Sequence, residues 1–119
     1  MRRLEGPELE RYDLIPRAIA ERVRIQQVPI LPPGASGMTV GRFVLLRRDD
    51  DRSGTRELLA HELVHARQYA ERGFVGFLAR YVRDYVRALR HHRNHRAAYL
   101  AIPAEEEARR EAAAWRRHS

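Results

Sequence analysis

The clearest rhythm of apolar positions in this chain begins at Phe74. Phe74, Phe77, Leu78, Tyr81, Val82, Tyr85, Val86 and Leu89 recur at steps of three and one, the spacing of one face of an α-helix. Arg80, Arg83, Arg87 and Arg90 form the opposite stripe. This helix is expected to fray into the basic run Arg90-His91-His92-Arg93-Asn94-His95-Arg96, with residues 97–101 as a connector. Just before it, Leu59, Leu63 and Ala66 mark a second helix. Thr55 is its expected N-cap, Glu57 lies in its first turn and Gly73 is its stop. A third helix opens at Pro103, carries Glu105-Glu106-Glu107 in its first turn, and runs to about Trp115 before Arg116, Arg117 and His118. That order of charge suits the helix dipole.

Toward the N-terminus the pattern shortens. Residues 14–23 predict a short helix with Asp13 as cap and Pro16 in its first turn. Residues 25–30 predict a short strand. Residues 32–37 are turn chemistry, and residues 38–46 predict one strand or two short strands about Gly41-Arg42. Residues 47–54 form a polar loop. Residues 1–12, charged and carrying Gly6 and Pro7, are expected to be a mobile or loosely docked arm. These elements make one α+β domain over residues 1–119, mainly helical, with a short antiparallel strand or hairpin ahead of the second helix.

Composition narrows the classes. With 119 residues and 44% hydrophobic positions there is material for one packed core. No apolar run approaches the roughly 18 residues of a membrane span, and the arginines at positions 2 and 3 precede no apolar signal segment. A cytoplasmic location is expected, with non-standard export left open. There is no cysteine, so no disulfide and no thiolate metal site. The net charge is +7 and every basic residue among the 23 is arginine. That bias matches codon usage in a GC-rich genome, yet the charge still favours acidic partners. The arginine stripe lacks interleaved aromatics, and no helix-turn-helix or zinc-finger spacing accompanies it, so nothing specific to nucleic acid is present.

The candidate chemistry lies on the second helix, at His61-Glu62-Leu63-Val64-His65. Residues four apart on a helix project about 40° from each other, so both imidazoles can reach one metal ion. Glu62, about 60° from His65 around the helix, is placed to take a proton from a water at that site. Six histidines and eleven glutamates would produce this pattern by chance roughly 0.03 times. A hydrolytic zinc site needs a third protein ligand, and here it must be His, Glu or Asp. On the third helix Ala101, Ala104, Ala108, Ala112 and Trp115 form the apolar stripe. Glu105 borders that stripe, whereas Glu106 and Glu107 turn toward solvent. Glu105 is therefore the expected ligand and Glu107 the reserve. His91 and His95 are also four apart but have no acidic neighbour, and are expected to be a solvated cationic end. Gln68 is expected either to touch the site or to lie on the surface.

His61-Glu62-Leu63-Val64-His65-Ala66-Arg67-Gln68, followed by Tyr99-x-x-Ile102-Pro103-x-Glu105-x-Glu107-Ala108, resembles the small single-domain gluzincin zinc metallopeptidases, including minigluzincin-related bacterial families. The resemblance covers about residues 36–113. It implies a zincin-like fold, zinc held by His61, His65 and Glu105, and Glu62 as general base. It also implies a strand beside the active-site helix, at residues 40–46, that pairs with a peptide or protein substrate. Gluzincins often carry an aspartate four residues after the ligand glutamate to orient a zinc-bound histidine; this chain has Arg109 there. Tyr99 and His95 are the candidate donors to the oxyanion of amide hydrolysis. The alternative is a non-catalytic or latent zinc-binding module that binds an acidic partner through its arginine-rich helix. Latency would come from residues 115–119 lying over the cleft.

Overall fold

Gly41 turns the chain at the tip of a hairpin, and the hairpin sets the position of everything that follows. In the computed structural model, which describes residues 1–118, β2 (Gly37–Val40) and β3 (Phe43–Leu46) pair antiparallel about Gly41-Arg42. Gly41 has φ +65°, which a glycine at the first central position of a two-residue turn adopts without strain. The two-strand version of the expectation for residues 38–46 is the one observed. β1 (Arg24–Gln27) lies on the far side of β3 and runs parallel to it, giving the order β1-β3-β2. β1 is shorter than the expected strand. Val28 still donates to the Leu46 carbonyl at 2.9 Å, but Pro29 has no N–H to continue the ladder, and Ile30 is exposed.

The inner face of the sheet alternates as a half-buried sheet should. Ile25, Thr39, Val44 and Leu46 are buried, and Met38 points out. That face rests on α3 (Glu57–Arg72), which also packs against α4 (Phe74–His92) and α6 (Pro103–Arg117). Leu59, Ala60, Leu63 and Val64 are wholly buried. Covered by sheet and helices, α3 buries its histidine side as well as its leucine side. Its N-cap is Arg56, one residue beyond the expected Thr55.

Three expectations need correction. Residues 1–12 are docked. α1 (Gly6–Arg11) forms, Arg2 bridges to Ile25 across the edge of β1, and Leu4, Glu8 and Tyr12 are buried. Arg2 anchors the segment through Glu8 (2.7 and 3.1 Å) and Asp49 (2.6 and 2.7 Å), both buried. The expected helix over residues 14–23 is the shorter α2 (Arg17–Arg22), with Pro16 as its N-cap and no role for Asp13. The expected connector is a helix, α5 (His95–Ala101). Its cap is Asn94, whose side chain accepts from the Ala97 N–H at 3.0 Å, and Arg93 at φ 54° ends α4 just before it. His91 and His95 therefore sit on different helices.

α4 forms as the periodicity predicts, but its apolar stripe is buried only at Phe77. Phe74, Val75, Leu78, Val82 and Val86 are exposed. Trp115 packs on Tyr12 at 5.1 Å between ring centroids and donates its indole N–H to the Arg11 carbonyl at 2.7 Å. It thus belongs to the core beneath α1 and not to a plug over a cleft, while residue 119 lies outside the described residues. Among the described residues no helix is long and apolar enough to cross a membrane.

Candidate metal centre

α3 delivers three of the singled-out side chains to one place, and the first turn of α6 delivers the fourth. His65, Glu62 and Glu105 are buried. His61 Nε2 lies 2.9 Å, and His65 Nε2 3.0 Å, from the same oxygen, Glu105 Oε1. Among the described residues this is the group of three side chains whose donor atoms, all within 4.8 Å of one another, could hold a metal ion. Glu107 is not part of it. It turns to Arg67 (2.6 Å) and Gln68 (2.9 Å), as its place farther around α6 requires.

The donor chemistry fits a cation. Gln68 Nε2 donates to the Ala104 carbonyl (3.1 Å) and to Glu107 (2.9 Å). These two acceptors fix which way the amide points. Gln68 Oε1 is therefore the atom 2.8 Å from His65 Nδ1, so Nδ1 carries a hydrogen and donates it. In the neutral ring Nε2 then presents a lone pair toward the Glu105 carboxylate. Two acceptors at 3.0 Å need a positive charge between them, supplied by a proton or a metal ion. Gln68 thus performs the orienting task for which the sequence offered Arg109 in place of a carboxylate. Its position three residues after His65, one helical turn on, was the available signal.

Two phenols complete the shell of Glu105. Tyr99 donates to Oε1 at 2.9 Å and Tyr81 to Oε2 at 2.7 Å. Tyr81 escaped sequence reasoning because it falls within the apolar stripe of α4. The clue was that a tyrosine in such a stripe must find a partner for its hydroxyl. Burial alone would raise the Glu105 carboxyl, but His61, His65 and Tyr81 hold it well below the ordinary carboxylate range. Burial opposes charge on His65, yet Glu105 and Glu62 raise its pKa overall. Both phenols are pushed up, first by burial and then by Glu105, and stay protonated as donors.

Glu62 has the opposite environment. Burial raises its carboxyl above the ordinary value, against the pull of His65, His61 and the Thr39 hydrogen bond. Thr39 Oγ1 lies 2.8 Å from Glu62 Oε1 and 3.0 Å from the Glu62 carbonyl. A Cβ on Gly37 would stand 3.2 Å from Glu62 Cγ, so β2 closes directly over this side chain. Of two carboxyls near one centre, one is held ionised and the other is raised.

A cleft of about 1000 Å³ opens onto these groups. One wall is β2, an outer strand of the sheet, whose residues Gly37 to Val40 all line it; the stretch 40–46 expected to pair with a peptide is instead mostly β3, the central strand, already bonded on both sides. Leu78, Tyr81 and Tyr85 of α4 form the facing wall, and Tyr99, His95 and Arg109 also line it. His95 is engaged by the Tyr85 hydroxyl at 2.8 Å and lies outside the metal-competent group.

The model of the family described as the eCIS core domain covers residues 29–73. That segment holds the hairpin and the whole of α3, including His61, Glu62 and His65, and ends before Glu105. The match is compatible with a zincin-like domain. No curated protein and no solved structure matches the chain.

Proposed function

We propose that the chain is a small zinc-dependent peptide-bond hydrolase of gluzincin type. The observation that carries this reading is the placement of Glu62 beside the His61, His65 and Glu105 cluster, in a cleft whose wall is an outer β-strand. An extended peptide laid along β2 by strand addition brings its carbonyls past the centre. His61, His65 and Glu105 would hold the zinc, which when bound would supply Lewis acidity for the scissile carbonyl and acidify the attacking water. Glu62 takes the proton from that water and returns it to the leaving amine. Thr39 and the close approach of Gly37 fix its carboxyl for both transfers. Tyr81 keeps Glu105 in place, and Tyr99, reaching in from the cleft side, is the proposed donor to the tetrahedral oxyanion. The eCIS core domain match over the hairpin and α3 supports the reading.

A second reading, a zinc-binding module that docks an acidic partner, is favoured by one feature: the exposed apolar residues of α4 beside its arginine stripe. Incubating zinc-loaded protein with a mixed peptide library and reading products by mass spectrometry separates the two. The hydrolase reading expects discrete products, lost on chelation and recovered when zinc is added back. A zinc-loaded chain that leaves the whole library intact overturns it in favour of the module.

A further inference from the structure

Arg109 is a charged group of the cleft that the chemistry above leaves without a task; Arg96 and Glu57 also line the cleft, but Arg109 alone of the three stands on the helix of Glu105. It lies on α6 four residues after Glu105 and lines the cleft. Its Nη2 donates to the backbone carbonyl of Leu100 at 2.5 Å. Its Nη1 is buried and, among the described residues, has no hydrogen-bond partner. The contrast within the same fold is plain. Arg2 has Glu8 and Asp49, and Arg67 has Glu71, Glu107 and Glu111. A guanidinium held against a backbone carbonyl, with a buried donor unsatisfied, is an unfavourable arrangement. A carboxylate brought against Arg109 would supply the missing acceptor.

The surroundings define that anion. Arg109 lines the same cleft as Tyr99 and Glu105, and the Tyr99 hydroxyl is 2.9 Å from the ligand oxygen of Glu105. The positive charge therefore belongs to the cleft that holds the centre, one helical turn along α6 from Glu105. The carboxylates nearby are already engaged, Glu105 by two histidines and two phenols and Glu62 by Thr39. Much of the remaining cleft wall is apolar, including Pro32, Met38, Val40, Leu58 and Leu78. A guanidinium fork matches a carboxylate in two parallel hydrogen bonds. The spacing also fits. Glu105 and Arg109 are one helical turn apart, about 6 Å along the axis, and one or two residues of extended peptide span roughly 3.3–7 Å.

We propose that Arg109 is the specificity residue of this site and receives a substrate carboxylate one or two residues from the scissile bond. The carboxylate is either the C-terminus of the peptide or an acidic side chain. The inference rests on the hydrolase reading and deepens it, by making the preferred substrates peptides with a free carboxylate beside the cleaved bond.

The test is a binding measurement, separate from turnover. Zinc-loaded Glu62→Gln protein is titrated into N-terminally dye-labelled peptides and followed by fluorescence anisotropy. One pair of peptides differs only in a free or amidated C-terminus; a second pair, amidated, differs only in Glu or Gln beside the central bond. At least one pair should be discriminated about tenfold in favour of the carboxylate, and which pair it is identifies the source. Arg109→Gln in the same background should erase the discrimination while leaving the neutral peptides within about twofold, and Arg109→Lys should restore part of it. Equal binding within both pairs overturns the proposal. So does discrimination that survives Arg109→Gln, or no binding of any peptide to the zinc-loaded protein. The two failures are distinguishable: a wild-type chain that cleaves peptides without regard to carboxylates sinks this inference alone, whereas one that cleaves none sinks the hydrolase reading.

Discussion

The Glu62→Gln protein is expected to take up zinc as the natural chain does and to cleave peptides about 10²- to 10⁴-fold more slowly. Glutamine keeps the size of the side chain and can still accept from Thr39, which lies 2.8 Å away. The packing under Gly37 is therefore undisturbed. The amide has no site for the proton that the attacking water must lose. The three side chains that hold the metal are other residues, so zinc content should not move. Steady-state cleavage rates beside metal analysis of the same samples make the comparison. Equal rates in the two proteins would remove Glu62 from the chemistry.

Arg2→Ala carries the largest expected cost to stability. The substitution leaves Glu8 and Asp49 buried without their shared partner. Breaking a buried ion pair from one side costs about 3–5 kcal/mol, and urea denaturation should show a loss of that size. Adding Glu8→Gln and Asp49→Asn should recover part of it, because the stranded charges are then gone. A pH signature accompanies this. Burial alone would raise the Asp49 carboxyl, but Arg2, Arg52 and Arg56 hold it below its ordinary value. A carboxyl depressed in the folded state adds stability that is complete above the unfolded value, about 3.9. That contribution is lost as pH falls through the lower folded value. In Arg2→Ala this acid-side loss should shrink, because the main partner that holds the Asp49 carboxyl down is gone.

Arg2 also shows why part of the fold stayed hidden in the sequence. A charged opening with Gly6 and Pro7 normally belongs in solvent. What docks it is a contact from Arg2 to Asp49, 47 residues apart, which no local pattern encodes. α5 was missed for a related reason. His95 and Arg96 read as part of a frayed basic end, and the Asn94 cap and the left-handed Arg93 that divide the two helices are visible only in the backbone. α3, α4 and α6 were legible because periodicity reports a helix whatever covers it. The same periodicity reported the stripe of α4 equally well, although most of it faces the cleft or solvent.

At the site the outcome divides in the same way. The four residues of the expected centre were readable because helix geometry ranks positions: His61 and His65 by their spacing, Glu62 between them, and Glu105 over Glu107 by its nearness to the alanine stripe. The supporting residues were not. Thr39 reaches Glu62 from 23 residues away and Tyr81 reaches Glu105 from 24. Gln68 was left undecided, because only the fold shows the Ala104 carbonyl and the Glu107 carboxylate that orient its amide.

The account stands on one cluster, and the amount of metal it holds tests it most directly. Protein reconstituted with zinc and freed of excess should retain about one ion per chain. His61→Ala, His65→Ala and Glu105→Ala should each lose it, while a control with His91, His92 and His95 replaced by alanine should keep it. A natural chain that retains no zinc, or one that retains it unchanged when all three ligands are removed, would contradict the account.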